Sequence, residues 1–198
     1  MKDKALEQML EELGLNEKIE LESIPSLDLY MDQVITLFEN TLGHTKRYDS
    51  DKLLTKTMIN NYTKDRLLMP AVKKKYTKEH VLLMILLYEL KQILTIGDIK
   101  NLFSTIVNQD QVDAHLLAGI YQVYLDSKTI YSEAFKEETM SIENYVNEEI
   151  HKFSLDKEVI SSEKLANMLK VILLTEKANY YKRLAEKIID ETKKGNAK

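Results

Sequence analysis

LTKTMINNYTKDRLLMPAVKKKYTKEHVLLMILLYEL, residues Leu54 to Leu90, decides how the rest of the chain is read. A short helix is expected from about Lys52 to Lys64, with Met58, Ile59 and Tyr62 turned inward. Thr55, Lys56, Thr57, Asn60, Asn61 and Lys64 then share its outward side. The stretch Arg66 to Lys75 holds Pro70 and three consecutive lysines, and is too short and irregular for a helix; it reads as a hairpin or wing. Thr77 is a plausible N-cap, with Glu79 and His80 in the first turn of a helix reaching about Leu94. That helix is apolar on every face at its centre, which makes it the buried element around which its neighbours pack.

Working outward, Thr95 caps a further helix over Gly97 to Val107, with Ile99, Leu102, Phe103 and Ile106 as its inner stripe. On the other side, Leu29, Tyr30, Val34, Leu37, Phe38 and Leu42 make one helix face from Asp28 to near Gly43. Glu17 to Ser26 carries Pro25 and reads as a connector. Before it, Leu6, Met9, Leu10 and Leu13 stand at helical spacing and stop at Gly14, which suits a helix C-terminus. Beyond Asn108, helices are expected over Val112 to Tyr131 and Ser141 to Phe153. A final one, capped by Ser161 or Ser162, runs to about Lys193. The fold class is all-α. The domain reading is 1–25, an acidic helix and connector; 26–108, the basic module; and 109–198, a C-terminal helical region.

The chain has 198 residues, 28 Lys and Arg against 32 Asp and Glu, and a net charge of -4. Residues 46 to 78 hold ten basic and three acidic side chains, a local net of +7. Residues 1 to 45 hold three basic and ten acidic ones, a net of -7. A basic island in an acidic chain suggests a polyanion-facing patch, and the acidic arm before it is the group that could screen it. Zero cysteines remove thiolate nucleophiles, disulfides and zinc-finger sites. The longest apolar run, Val81 to Tyr88, has eight residues, far short of the ~20 of a membrane span. Met1 to Glu12 lacks the apolar stretch of a signal peptide. The expected location is the cytoplasm, with no membrane association.

No catalytic motif stands out. There is no Gly-x-Ser-x-Gly elbow, no phosphate-cradling glycine loop and no His-Glu-x-x-His. His44, His80, His115 and His151 are scattered without partners at ligand spacing, so neither a metal nor a cofactor is expected. Tyr121, Tyr124 and Tyr131 either line a pocket or pack between helices, packing being the commoner fate of aromatics at helical spacing.

The order helix, short polar helix, proline-bearing basic turn and two further helices resembles the winged helix-turn-helix of the MerR family, over residues 45 to 106. That family's second helix reads leucine, arginine, tyrosine, tyrosine before a turn with two apolar residues and prolines. Here Ile59, Asn60, Asn61 and Tyr62 lead to Leu67, Leu68, Met69 and Pro70. Tyr76 is similar to the aromatic residue that closes the family's wing, and Thr77 to Glu79 to its Ser-Glu-Glu helix opening. Thr95, Ile96, Gly97, Asp98 and Ile99 are similar to its Ser-Leu-x-x-Ile start. Asn60 stands where the family has a backbone-contacting arginine, Arg66 stands at its turn glycine, and the wing is short and glycine-free. The chain also resembles an uncharacterised family of Firmicute proteins through Ile24 to Val34 (IPSLDLYMDQV), Leu54 to Tyr62 (LTKTMINNY) and Lys73 to Tyr76 (KKKY), over about residues 20 to 125. That resemblance brings no established activity.

The first resemblance implies a non-enzymatic, DNA-binding transcriptional regulator. Asn60 and Asn61 can bond adenine edges, while Thr55, Lys56, Thr57 and Lys64 hold phosphates. Lys73, Lys74 and Lys75 then grip the flanking backbone. The expected partners are double-stranded DNA and a second copy joined through the C-terminal helices. The rival expectation is a helical interaction or adaptor protein that keeps the scaffold without binding DNA.

Overall fold

The computed structural model describes residues 2–108, 111–153 and 160–196. Helices dominate: α1 (Lys2–Glu12), α2 (Met31–Leu42), α3 (Lys56–Lys64), α4 (Lys78–Leu90), α5 (Ile96–Phe103), α6 (Ala114–Ile150) and α7 (Ser162–Asn196). The strands are two residues each: β1 (Leu29–Tyr30), β2 (Lys75–Tyr76), β3 (Val107–Asn108) and β4 (Gln111–Val112). By compactness the chain divides into Met1–Thr129 and Ile130–Lys198, a division that falls within α6.

The first unit is built around α4, whose residues His80 to Ile85 and Leu87 are all buried. Val34, Phe38 and Leu42 of α2, Ile59 and Tyr62 of α3, and Ile99 and Phe103 of α5 close on it. Each of those sets has the three-to-four residue spacing of one helix face. Leu117, Tyr121 and Leu125 of α6 complete the same core. The connector before β1 is anchored as well, because Ile19 and Ile24 are buried in that core. Tyr121 donates its hydroxyl to the Ile19 carbonyl at 2.5 Å, and Lys128 donates to the Glu17 carbonyl at 2.5 Å. Tyr124 donates to Glu89 at 2.8 Å. Burial pushes both tyrosine hydroxyls far above the ordinary phenol range.

Several expected elements come out differently: α3 starts at Lys56 rather than Lys52, α4 ends at Leu90 rather than Leu94, and α5 ends at Phe103, with Val107 in β3. Leu29 and Tyr30 are not the first turn of a helix; they form β1, antiparallel to β2, with Leu29 opposite Tyr76 and Tyr30 opposite Lys75. Gln33 explains the late start of α2, since its side chain accepts the Tyr30 N–H at 2.8 Å, the reach-back of a capping box. The two helices expected between Val112 and Phe153 are one. Residues 132 to 140 contain no Gly or Pro, and Ala, Glu and Lys there are strong helix formers, so nothing interrupts the backbone ladder. Asp113 opens α6 by accepting the N–H groups of His115 and Leu116 at 2.9 and 3.0 Å.

The second unit is a helical pair. Ile142, Val146 and Ile150 of α6 pack on Leu165 and Ala166 of α7, with Leu169, Leu173 and Leu174 at the edge. Among the described residues two ion pairs cross it, Lys170 to the buried Glu143 and Lys177 to Glu138.

Candidate nucleic-acid interface

Thr55 is the N-cap of α3, its hydroxyl accepting the Met58 N–H at 3.1 Å. Ile59 and Tyr62 anchor the helix in the core. That fixes the opposite side. Lys56, Thr57, Asn60, Asn61 and Lys64 are all exposed, within an arc of about 140° at 100° per residue. The side chains of Thr57, Asn60, Asn61 and Lys64 bond to no described residue.

The helix ends in a Schellman motif. Leu67 N–H donates to the Tyr62 carbonyl at 2.9 Å and Arg66 N–H to the Thr63 carbonyl at 3.1 Å. The motif needs a left-handed residue between Asp65 and Leu67, and Arg66 supplies it with a φ of 59°. Glycine is the usual occupant of that position.

A tight hairpin follows. Val72 and Lys75 exchange backbone hydrogen bonds of 3.0 and 2.9 Å, leaving Lys73 and Lys74 as the two turn residues. Their φ angles are 52° and 65°, the paired positive values of a type I′ turn, which Asn-Gly ordinarily occupies. Both lysines are exposed, and no described residue bonds their ammonium groups. Lys75 differs: it is half-buried in β2, with its ammonium 5.3 Å from the centre of the Tyr30 ring. Tyr76 is buried and packs edge-on against His80, so it anchors the hairpin from inside.

His80 ties the hairpin to α4. Its Nδ1 accepts the Thr77 N–H at 3.1 Å, which leaves Nε2–H facing the Pro70 carbonyl at 3.4 Å. Burial lowers its pKa; its hydrogen bonds to the Pro70 and Met69 backbone and the charges of Glu79 and Asp28 oppose that shift. Among the described residues no group of three or more His, Cys, Asp or Glu is arranged to hold a metal ion.

Two participants were hidden from the sequence. Asp32, in the first turn of α2, pairs with Lys56 at 2.7 Å. Two residues earlier, Tyr30 carries Lys75. Residues 30 to 32, whose backbone spans at most roughly 7 Å, therefore contact both the base of the hairpin and the start of α3. Of the acidic arm, Asp32 and Glu39 reach the basic island, at Lys56 and Lys46 respectively. The arm's net charge pointed to such pairing without naming the residues.

The family described as "Domain of unknown function (DUF1836)" matches residues 19–125. The chain belongs to this family. No curated protein and no solved structure matches it. The DUF1836 region begins at Ile19 and ends at Leu125, the first and last buried residues of the core built around α4. It contains α3, the hairpin and Asp32, and it leaves α7 outside.

Proposed function

We propose that residues 26–108 work as a MerR-like winged helix-turn-helix, and that the protein is a cytoplasmic DNA-binding regulator without a catalytic site. α3 enters a major groove, where Asn60 and Asn61 face base edges and Thr57 and Lys64 face phosphates. Thr55 keeps a hydroxyl proton to donate while capping the helix. Lys73, Lys74 and Lys75 lie along the flanking backbone as the wing. The observation that carries this reading is one exposed polar face on α3, its amides and Lys64 without intramolecular partners, beside a turn that holds two unpaired lysines in a conformation lysine disfavours. Arg66 adds support, since the MerR pattern has glycine there and the φ of 59° is one glycine adopts freely.

The test is retention on duplex DNA. The intact chain should bind at low salt and release steeply as salt rises, and a Lys73→Glu/Lys74→Glu variant should lose most of that affinity. Unchanged retention of the variant removes the reading's main support.

A second copy is the partner proposed for α7. Over residues 165 to 175 the one charged residue is Lys170, tied to Glu143. The remaining exposed stripe of Met168, Val171 and Ile172 is apolar and needs no opposite charge in its partner. Val171→Glu should shift a dimer to monomer in light scattering. A monomeric wild type that also ignores DNA favours the rival reading, a helical adaptor that docks other proteins on that stripe.

A further inference from the structure

In the second unit, α6 and α7 border an open groove of about 790 Å³ lined by Tyr131, Ala134, Phe135, Glu138 and Tyr181. The α6 residues stand at i, i+3, i+4 and i+7, so one helix face presents them together. The volume is within the range of small-molecule sites. The chemistry of the lining is one-sided. Aromatic rings carry negative faces, Glu138 carries a negative charge, and none of the described lining residues is cationic.

The groove's carboxylate already has an ammonium partner. Lys177, one turn before Tyr181 on α7, pairs with Glu138. Its side chain is 37% exposed, so the ammonium can move into water at small cost. Tyr131 and Tyr181 are 69% and 64% exposed, leaving large ring surfaces for a ligand to cover.

We propose that this groove binds lipophilic organic cations, with aromatic rings around the apolar body and Glu138 exchanging the Lys177 ammonium for the ligand's charge. No residue of α3 or the hairpin takes part, so the site stands or falls independently of DNA binding.

Tetraphenylphosphonium and tetraphenylborate, which share a shape and carry opposite charges, are suitable probes for the full chain. The chain has no Trp and 11 Tyr, so tyrosine fluorescence, to which the groove's Tyr131 and Tyr181 contribute, follows the ligand, and the melting temperature reads binding to the native state. The phosphonium should quench saturably and raise the melting temperature, while the borate does neither. Glu138→Gln should weaken phosphonium binding about tenfold. Lys177→Met, which removes the resident ammonium and keeps a long side chain, should tighten it several-fold. If Glu138→Gln fails to fold, the probe pair and Lys177→Met decide. The proposal is overturned by equal binding of both probes, by unchanged affinity in a folded Glu138→Gln chain, by unchanged or weaker binding in Lys177→Met, or by no saturable binding of the phosphonium.

Discussion

Replacing Lys73 with Asn and Lys74 with Gly should stabilise the fold and weaken DNA binding at the same time. Both lysines hold positive φ, at 52° and 65°, and a left-handed L-residue costs roughly 1–2 kcal/mol. Gly at position 74 recovers that energy but gives back about 0.5–1 kcal/mol through its freer unfolded state. Asn at position 73 recovers a further few tenths, since it tolerates the left-handed region. The net gain is about 1 kcal/mol, or a rise of about 2–4 °C in melting temperature for a chain of this size. Binding moves the other way. Two phosphate contacts removed should make the slope of log K against log salt shallower by about 1.8. Thermal melts followed by circular dichroism read the first quantity, and anisotropy of a labelled duplex across a salt series reads the second. A lower or unchanged melting temperature refutes the strain argument. A higher one with an unchanged salt slope shows that the hairpin is strained for a reason other than phosphate contact.

Arg66→Gly should raise the urea midpoint, with a gain of about 1 kcal/mol, because the Schellman position then holds its preferred residue. Asp32→Asn releases Lys56 and should tighten DNA binding about two- to five-fold, with a steeper salt slope, if Lys56 faces phosphate. His80 has a folded-state pKa below its unfolded value, so the unfolded chain takes up the proton first. Stability should therefore be full above about pH 6.5 and fall as the pH drops toward the folded value. His80→Gln keeps an acceptor for Thr77 N–H and a donor for Pro70 without titrating; a melt series in which its pH slope matches wild type would count against His80 as the source.

What was legible from the sequence depended on local chemistry. Thr95 caps α5 as its position suggested, its hydroxyl accepting the Asp98 N–H three residues on, whereas Thr55, expected inside a helix begun at Lys52, is the cap of α3 instead. Gly14 takes the left-handed φ of 59° just past α1, as a residue in that role must. The burial of α4 followed from apolar residues on all its faces. The failures were of range. A two-residue strand at Leu29–Tyr30 has no periodicity of its own and exists because Lys75 and Tyr76 pair with it from far along the chain. Asp32 and Lys56 are similarly distant in sequence, and nothing local marks either as the other's partner. In α6 residues 132 to 140 fell outside both expected helices, although their helix propensity and the Glu133–Lys136 pair favour continuity. The groove beside Glu138 escaped notice because Tyr181 is too far along the chain for any spacing argument to connect it with Tyr131.

The acidic arm screens the basic island unevenly, and that unevenness bears on how DNA would be held. Glu39 reaches Lys46 and Asp32 reaches Lys56, so the entry to α3 is partly neutralised. Lys64 at its exit and Lys73 and Lys74 at the turn meet no carboxylate among the described residues. Positive potential should therefore rise from the start of α3 toward its end and the hairpin, with the screened pairs losing further influence beyond a Debye length of about 10 Å at 0.1 M salt. Phosphate attraction then concentrates at the end of α3 and on the hairpin, while the amides of Asn60 and Asn61 lie along the gradient between the two ends. The same hairpin carries two of the three non-glycine residues with positive φ among the described residues. Strain and unpaired charge each work against stability, and their coincidence in a two-residue turn is accounted for economically by a contact the folded chain makes with something outside itself.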